Sequence, residues 1–80
     1  MTEAQILAGI SEVARRHLGW EGPLEARMSL VGDLGLDSLK ALTLAVEVEN
    51  LFRVCLDPER DREIVTVGDL VGVVRRELGS

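Results

Sequence analysis

The sequence predicts an all-α domain: an antiparallel four-helix bundle of three main helices and one short one, with a long loop between helices 1 and 2. Three observations lead there. Apolar residues recur at intervals of three and four in three separate segments, the spacing of amphipathic helices. Each of those segments opens on a capping residue. With 80 residues, 46% hydrophobic and 29% charged, the chain has the length and composition of one globular domain, spanning residues 1–80.

The first helix is expected from Glu3 to Leu18, where Ile6, Ile10, Val13 and Leu18 line one face while Glu3, Glu12, Arg15 and Arg16 lie elsewhere on the wheel. Thr2 and Gln5 have the form of a capping box, and Gly19 stands where a left-handed residue would close the helix. Trp20, just beyond, is expected to cap that end. From 19 to 36 the pattern dissolves into Gly22-Pro23, Gly32 and Gly35, interleaved with Leu24, Met28, Leu30, Val31, Leu34 and Leu36. So many large apolar groups predict an ordered loop lying along the core.

The second helix is expected from Asp37, its N-cap, to Phe52. Its apolar residues Leu39, Leu42, Leu44, Ala45, Val46, Val48, Leu51 and Phe52 cover more than one face, so part of that surface must be central in the fold or offered to a partner. Asp57-Pro58, followed by alternating charge over 59–63, predicts a short exposed helical turn. Thr66, with Asp69 three residues on, opens a last helix lined by Val67, Leu70, Val71, Val74 and Leu78. Its Val content leaves strands at 64–67 or 71–74 as the alternative; the helical spacing runs coherently over eleven residues, twice the length of an average strand. Gly68 and Gly72 each disfavour that helix by about 1 kcal/mol relative to Ala; close packing is expected to offset this, with a mobile final helix as the alternative.

Composition excludes several classes of function. A net charge of -5, spread along the chain, has the wrong sign for nucleic acid or anionic lipid, and one Trp, one Phe and no Tyr argue against a module that stacks bases on exposed rings. No apolar stretch approaches the ~20 residues of a membrane span, and MTEAQ is not a leader, so a cytoplasmic protein is expected. At this size folding buries only about 60% of the unfolded surface, so a deep private active site is not expected. His17, Asp37 and Ser38 are triad residue types without an oxyanion hole, and His17 is expected at a solvent edge or in packing. No metal site is expected from one Cys, one distant His and scattered acids. Cys55, between Val54 and Leu56, is expected to be a small buried hydrophobe, with a reactive thiol as the alternative.

One run carries chemistry. Leu34-Gly35-Leu36-Asp37-Ser38-Leu39 places Ser38 in the first turn of the central helix, where free N–H groups and the helix dipole favour a phosphate on its hydroxyl. A plain Asp-Ser helix start is the alternative. The run resembles the serine motif of acyl carrier proteins. The likeness extends over the chain: a capped first helix, a long loop ending in the motif, a central helix ending Glu49-Asn50-Leu51-Phe52, a short helix, and a last helix from Thr66-Val67.

That resemblance implies that Ser38 is the attachment residue for 4′-phosphopantetheine taken from coenzyme A. The protein would be a phosphoprotein and a monomer, without catalytic activity of its own. It would carry acyl intermediates as thioesters among enzymes of fatty-acid, polyketide or related biosynthesis. The implied partners are a phosphopantetheinyl transferase and acyl-loading and acyl-processing enzymes, meeting Asp37, Leu39, Leu42, Val46 and Glu49. Thr43 and Asn50 stand where the most acidic fatty-acid carriers have acids, and Arg60 and Arg62 break up the acidic short helix, which favours a dedicated pathway. Leu36 before Asp37 resembles acyl and polyketide carriers rather than peptidyl or aminoacyl carriers, the alternative cargo class. An unmodified helical interaction module is the alternative from another class of function.

Overall fold

The computed structural model describes residues 2–56 and 64–79, which form three helices: α1 (Glu3–Leu18), α2 (Ser38–Phe52) and α3 (Val67–Glu77). Each begins where local chemistry satisfies the free N–H groups of a first turn. At α1, Thr2 Oγ1 accepts the Gln5 N–H at 3.2 Å while Thr2 N–H donates to Gln5 Oε1 at 2.8 Å. At α3, Thr66 and Asp69 form the same reciprocal pair. Asp37 alone caps α2, its Oδ1 accepting the Lys40 N–H at 2.8 Å. Gly19 closes α1 at φ 68°, a conformation that glycine adopts without Cβ strain, and the Trp20 N–H that follows bonds the Ala14 carbonyl at 3.1 Å.

Ile6, Ile10 and Val13 of α1 meet Leu44, Val48 and Phe52 of α2 and Val67, Leu70, Val71 and Val74 of α3 in one buried cluster. Each large side chain so buried contributes about 1.5–3 kcal/mol by leaving water. The first helix packs against both others, and α2 and α3 meet each other far less. Where α1 crosses α2, a Cβ built on Gly9 would stand 2.5 Å from Phe52 Cζ. Glycine there lets the two helices approach.

The segment from 19 to 36 is ordered and lies along the core, as its apolar content requires: Leu24, Leu30 and Leu36 are buried, while Val31 is exposed. Backbone bonds tie it to the start of α3. Leu30 N–H donates to Val65 O at 2.9 Å, Val67 N–H to Met28 O at 2.9 Å, and Gly68 N–H to Ala26 O at 2.7 Å. Ser29 and Thr66 form an isolated antiparallel bridge. Among the described residues that bridge is all that remains of the strand alternative at 64–67. The residues 71–74 are helical.

Two expectations are corrected. Cys55 is exposed, not buried. In the non-helical run after α2, Val54 takes the core position and Leu56 is half-buried, so the alternation of an extended chain turns the residue between them outward. Gly72 is not a close contact either: a Cβ there meets nothing within 4 Å, whereas at Gly68 it would meet Ala26 O at 3.0 Å. Only Gly68 is required by packing. The short helix expected after Asp57-Pro58 lies outside the described residues.

These contacts lead to two predictions. Gly72→Ala is expected to raise stability by about 0.5–1 kcal/mol, because it supplies helix propensity into open space, whereas Gly9→Ala is expected to lower it by about 1–2 kcal/mol through overpacking against Phe52. Chemical denaturation separates them; equal shifts of the same sign would show that α1 and α2 are not tightly apposed. The second concerns acid. Asp69 is held below the ordinary carboxyl value by N–H bonds from Thr66 and then Val65. Its stabilisation is therefore present above the unfolded value of about 3.9 and is lost as pH falls through the lower folded one. Asp69→Asn is expected to flatten the stability profile below about pH 4, read by urea denaturation; an unchanged acid limb would assign it to other carboxylates.

Candidate functional site

The chain reaches α2 through a turn that bonds to itself. Asp33 Oδ2 accepts the Ser29 N–H at 2.7 Å, Ser29 Oγ accepts the Gly32 N–H at 2.9 Å, and Ser29 O receives the Asp33 and Leu34 N–H groups at 3.0 and 3.1 Å. Gly35 then adopts φ 68°, the left-handed geometry that glycine takes freely. The reversal delivers Leu36 into the core, its N–H bonded to Leu30 O at 3.1 Å. Leu36 is thus an anchor set two residues before Ser38.

Ser38 is the first residue of α2 and is exposed. Its hydroxyl makes no hydrogen bond among the described residues. Asp37, also exposed, turns its carboxylate to the Lys40 N–H, and Asp37 O accepts the Ala41 N–H at 2.9 Å. The Ser38 and Leu39 N–H groups precede the first intrahelical bonds, so they stand free beside the hydroxyl. An anion esterified to Ser38 would meet those donors and the positive end of the helix dipole. The exposed hydroxyl and free donors fit a phosphodiester.

Beyond Ser38, α2 presents an apolar stripe to water. Leu39 is 71% exposed, Leu42 60% and Val46 43%. Spaced by three and four residues, they lie on the face opposite Leu44, Val48 and Phe52, which face the core. The apolar surplus read from the sequence is therefore on the surface. Glu49, at the other end of the helix, is half-buried and accepts the Leu56 N–H at 3.3 Å. It holds the segment that leaves α2.

His17 does not join Asp37 and Ser38. Its Nε2 lies 3.2 Å from Glu47 Oε2, and Glu47 stands nine residues along α2 from Ser38, about 14 Å of helix rise. His17 thus sits at a solvent edge, linking α1 to α2. Sequence reasoning missed Glu47, and no local pattern signals it, because the pairing depends on how two helices cross. It also missed the exposure of Val31 and Val65, which flank the loop-to-α3 backbone bond. Among the described residues no three His, Cys, Asp or Glu side chains gather to share a cation, and no helix is long and apolar enough to cross a membrane. A groove of about 300 Å³ lined by Glu3, Ala4, Leu7, Ala26, Gly68, Val71 and Gly72 involves no residue of α2.

Comparison with known proteins agrees with this geometry. The model of the family described as "Phosphopantetheine attachment site" matches residues 6–74. An acyl carrier protein of Exiguobacterium sp. is 32% identical over 79 residues, covering 98% of this chain and 100% of that protein. The meromycolate extension acyl carrier protein of Mycobacterium tuberculosis is 32% identical over 77 residues, covering 95% of this chain and 67% of its own length. A solved chain from Mycobacterium tuberculosis, provisionally assigned as an acyl carrier protein, superposes with a TM-score of 0.81 at 35% identity, covering 89% of this chain and 96% of that one.

If the stripe is surface and not core, Leu42→Asp and Val46→Asp should leave the helical circular dichroism and the denaturation midpoint within about 0.5 kcal/mol of the parent. Unfolding of both variants would place these side chains in the core.

Proposed function

The chain belongs to the phosphopantetheine-attachment family of acyl carrier proteins, and we propose that Ser38 is the residue that carries the prosthetic arm. The family's cofactor is a covalently attached 4′-phosphopantetheine, whose terminal thiol supplies the thioester that holds an acyl chain. Everything else required of the protein is positioning. The observation that carries the reading is the exposed, unbonded hydroxyl of Ser38 at the start of α2, two residues after the buried Leu36.

Ser38 supplies the attacking oxygen: its Oγ bonds the β-phosphorus of coenzyme A as the pyrophosphate P–O bond breaks and adenosine 3′,5′-bisphosphate leaves. A serine hydroxyl is a weak nucleophile at its free pKa, and the one histidine of the chain is engaged with Glu47. The base that takes the Ser38 proton, and the Mg²⁺ that polarises the β-phosphate of coenzyme A, therefore belong to the transferase. Leu36 and the Asp37 cap hold the helix start still while a partner closes on it. The free Ser38 and Leu39 N–H groups receive the phosphodiester charge afterwards. The carrier itself performs no catalysis in this reading.

The stripe of Leu39, Leu42 and Val46 begins beside Ser38, so an enzyme that grips it also reaches the arm. We assign that stripe, with Asp37 at its head, to partner docking. Leu36 ahead of Asp37 supports acyl over aminoacyl cargo, and the similarity to meromycolate extension carriers supports a lipid-elongation pathway.

Incubation with coenzyme A, Mg²⁺ and a broad-specificity phosphopantetheinyl transferase is expected to add one phosphopantetheine, read by intact mass spectrometry. Ser38→Ala should remain at its starting mass. Equal gain by the variant would remove Ser38 from the attachment role, and no gain by the parent would favour an unmodified interaction module.

A further inference from the structure

The three helix starts differ at their third residue. In α1 that residue is Gln5, whose Oε1 receives the Thr2 N–H at 2.8 Å. In α3 it is Asp69, whose Oδ2 receives the N–H groups of Val65 and Thr66, each at 3.0 Å. In α2 it is Lys40, the one lysine of the chain. An ammonium group has three donors and no acceptor, so the third residue of α2 offers nothing to the N–H of Asp37. The N–H groups of Asp37, Ser38 and Leu39 have no acceptor among the described residues.

Charge shows the same contrast. The first turns of α1 and α3 carry Glu3 and Asp69, whereas the first turn of α2 carries no acid. A cation at a helix N-terminus opposes the helix dipole. Elsewhere, Arg15, Arg16, Arg27 and Arg75 each lie against a carboxylate. Lys40 is exposed, and its ammonium pairs with no described carboxylate; Asp37, three residues back, turns its Oδ1 to the Lys40 N–H instead. Lys40 and Ser38 are about 3 Å apart along the helix axis. Helix side chains lean toward the N-terminus, so the flexible stem of Lys40 leads its charge toward whatever extends from Ser38.

Resting on the assignment of Ser38 as the attachment residue, we propose that Lys40 is a positioning residue for the phosphodiester carried there, and that it couples loading to the stability of the fold. In the unloaded chain its charge works against the start of α2. The attached anion brings negative charge and acceptor oxygens to a helix start that has donors and a cation in excess, and Lys40 then becomes a stabilising partner. It also offsets the repulsion between the phosphodiester and the Asp37 carboxylate on the same turn. The root of the arm is thereby held against α2 while the rest of it remains free to move.

The test reads folding and not acyl transfer. Parent, Lys40→Met, Lys40→Glu and Lys40→Arg are prepared unloaded and loaded, with loading at Ser38 verified by intact and peptide mass spectrometry. Each is then unfolded in urea at low ionic strength. Methionine has nearly the helix propensity of lysine, so unloaded Lys40→Met is expected to have a folding constant about two- to threefold above the unloaded parent. Loading is expected to raise the constant in the parent. That gain should be about two- to threefold smaller in Lys40→Met, smaller again in Lys40→Glu, and restored in Lys40→Arg. In about 1 M NaCl, where charges are screened within about 3 Å, the differences between variants should collapse. The phosphorus NMR resonance of the loaded chain should move in Lys40→Met and return in Lys40→Arg. Equal gains in all four chains would overturn the role of Lys40 alone, as would an unloaded Lys40→Met less stable than the parent. A parent that gains no phosphopantetheine at Ser38 would overturn the attachment reading and this proposal with it.

Discussion

The burial of Leu36 against the core, two residues before Ser38, is the constraint on which the site depends. An exposed serine at a helix start is common and by itself mobile with its loop. Here the preceding turn closes on Ser29, Gly35 reverses the chain, and Leu36 is held both by its side chain and by the bond from its N–H to Leu30 O. Leu30 is in turn bonded through its N–H to Val65, just ahead of α3. The start of α2 is thus referenced to the whole helical core, so a group attached there projects from a defined point.

A domain of this size has one core and no room for a second enclosed site. Its interior is filled by α1 facing both other helices, with Gly9 allowing α2 to approach at Phe52. Function has therefore moved to the surface and to a borrowed group. α2 is apolar on two faces: one face folds the protein, and the other, with Leu39, Leu42 and Val46, stands exposed. A helix of such composition in a monomer without partners would be a solubility liability.

Charge is arranged with the same economy. The acids of α2 are placed where they brace the fold, Glu47 across to α1 and Glu49 down to Leu56, and not along the outward stripe. The core and the exposed apolar stripe thus draw on different side chains of one helix. The arrangement allows the stripe to change in sequence without loosening the bundle.

The boundaries of the three helices, the caps at Thr2, Asp37 and Thr66, the ordered loop and the surplus apolar face were all legible in the sequence. Each is a local property: a capping side chain reaches only three residues ahead, and helical periodicity repeats within one segment. The serine motif was legible for the same reason. Cys55 and Gly72 were misread because burial and close packing are decided by what lies across the gap, and an apolar neighbour or a small residue does not say what that is. The internal contacts of Glu47 and Glu49 were beyond reach for a related reason. Which group each carboxylate meets inside the protein depends on the crossing of α1 over α2 and on the path of the chain after Phe52. The sequence by itself determined where the helices start and which hydroxyl begins α2; only the tertiary structure decided which side chains are left exposed, because exposure is a relation between elements that are distant along the chain.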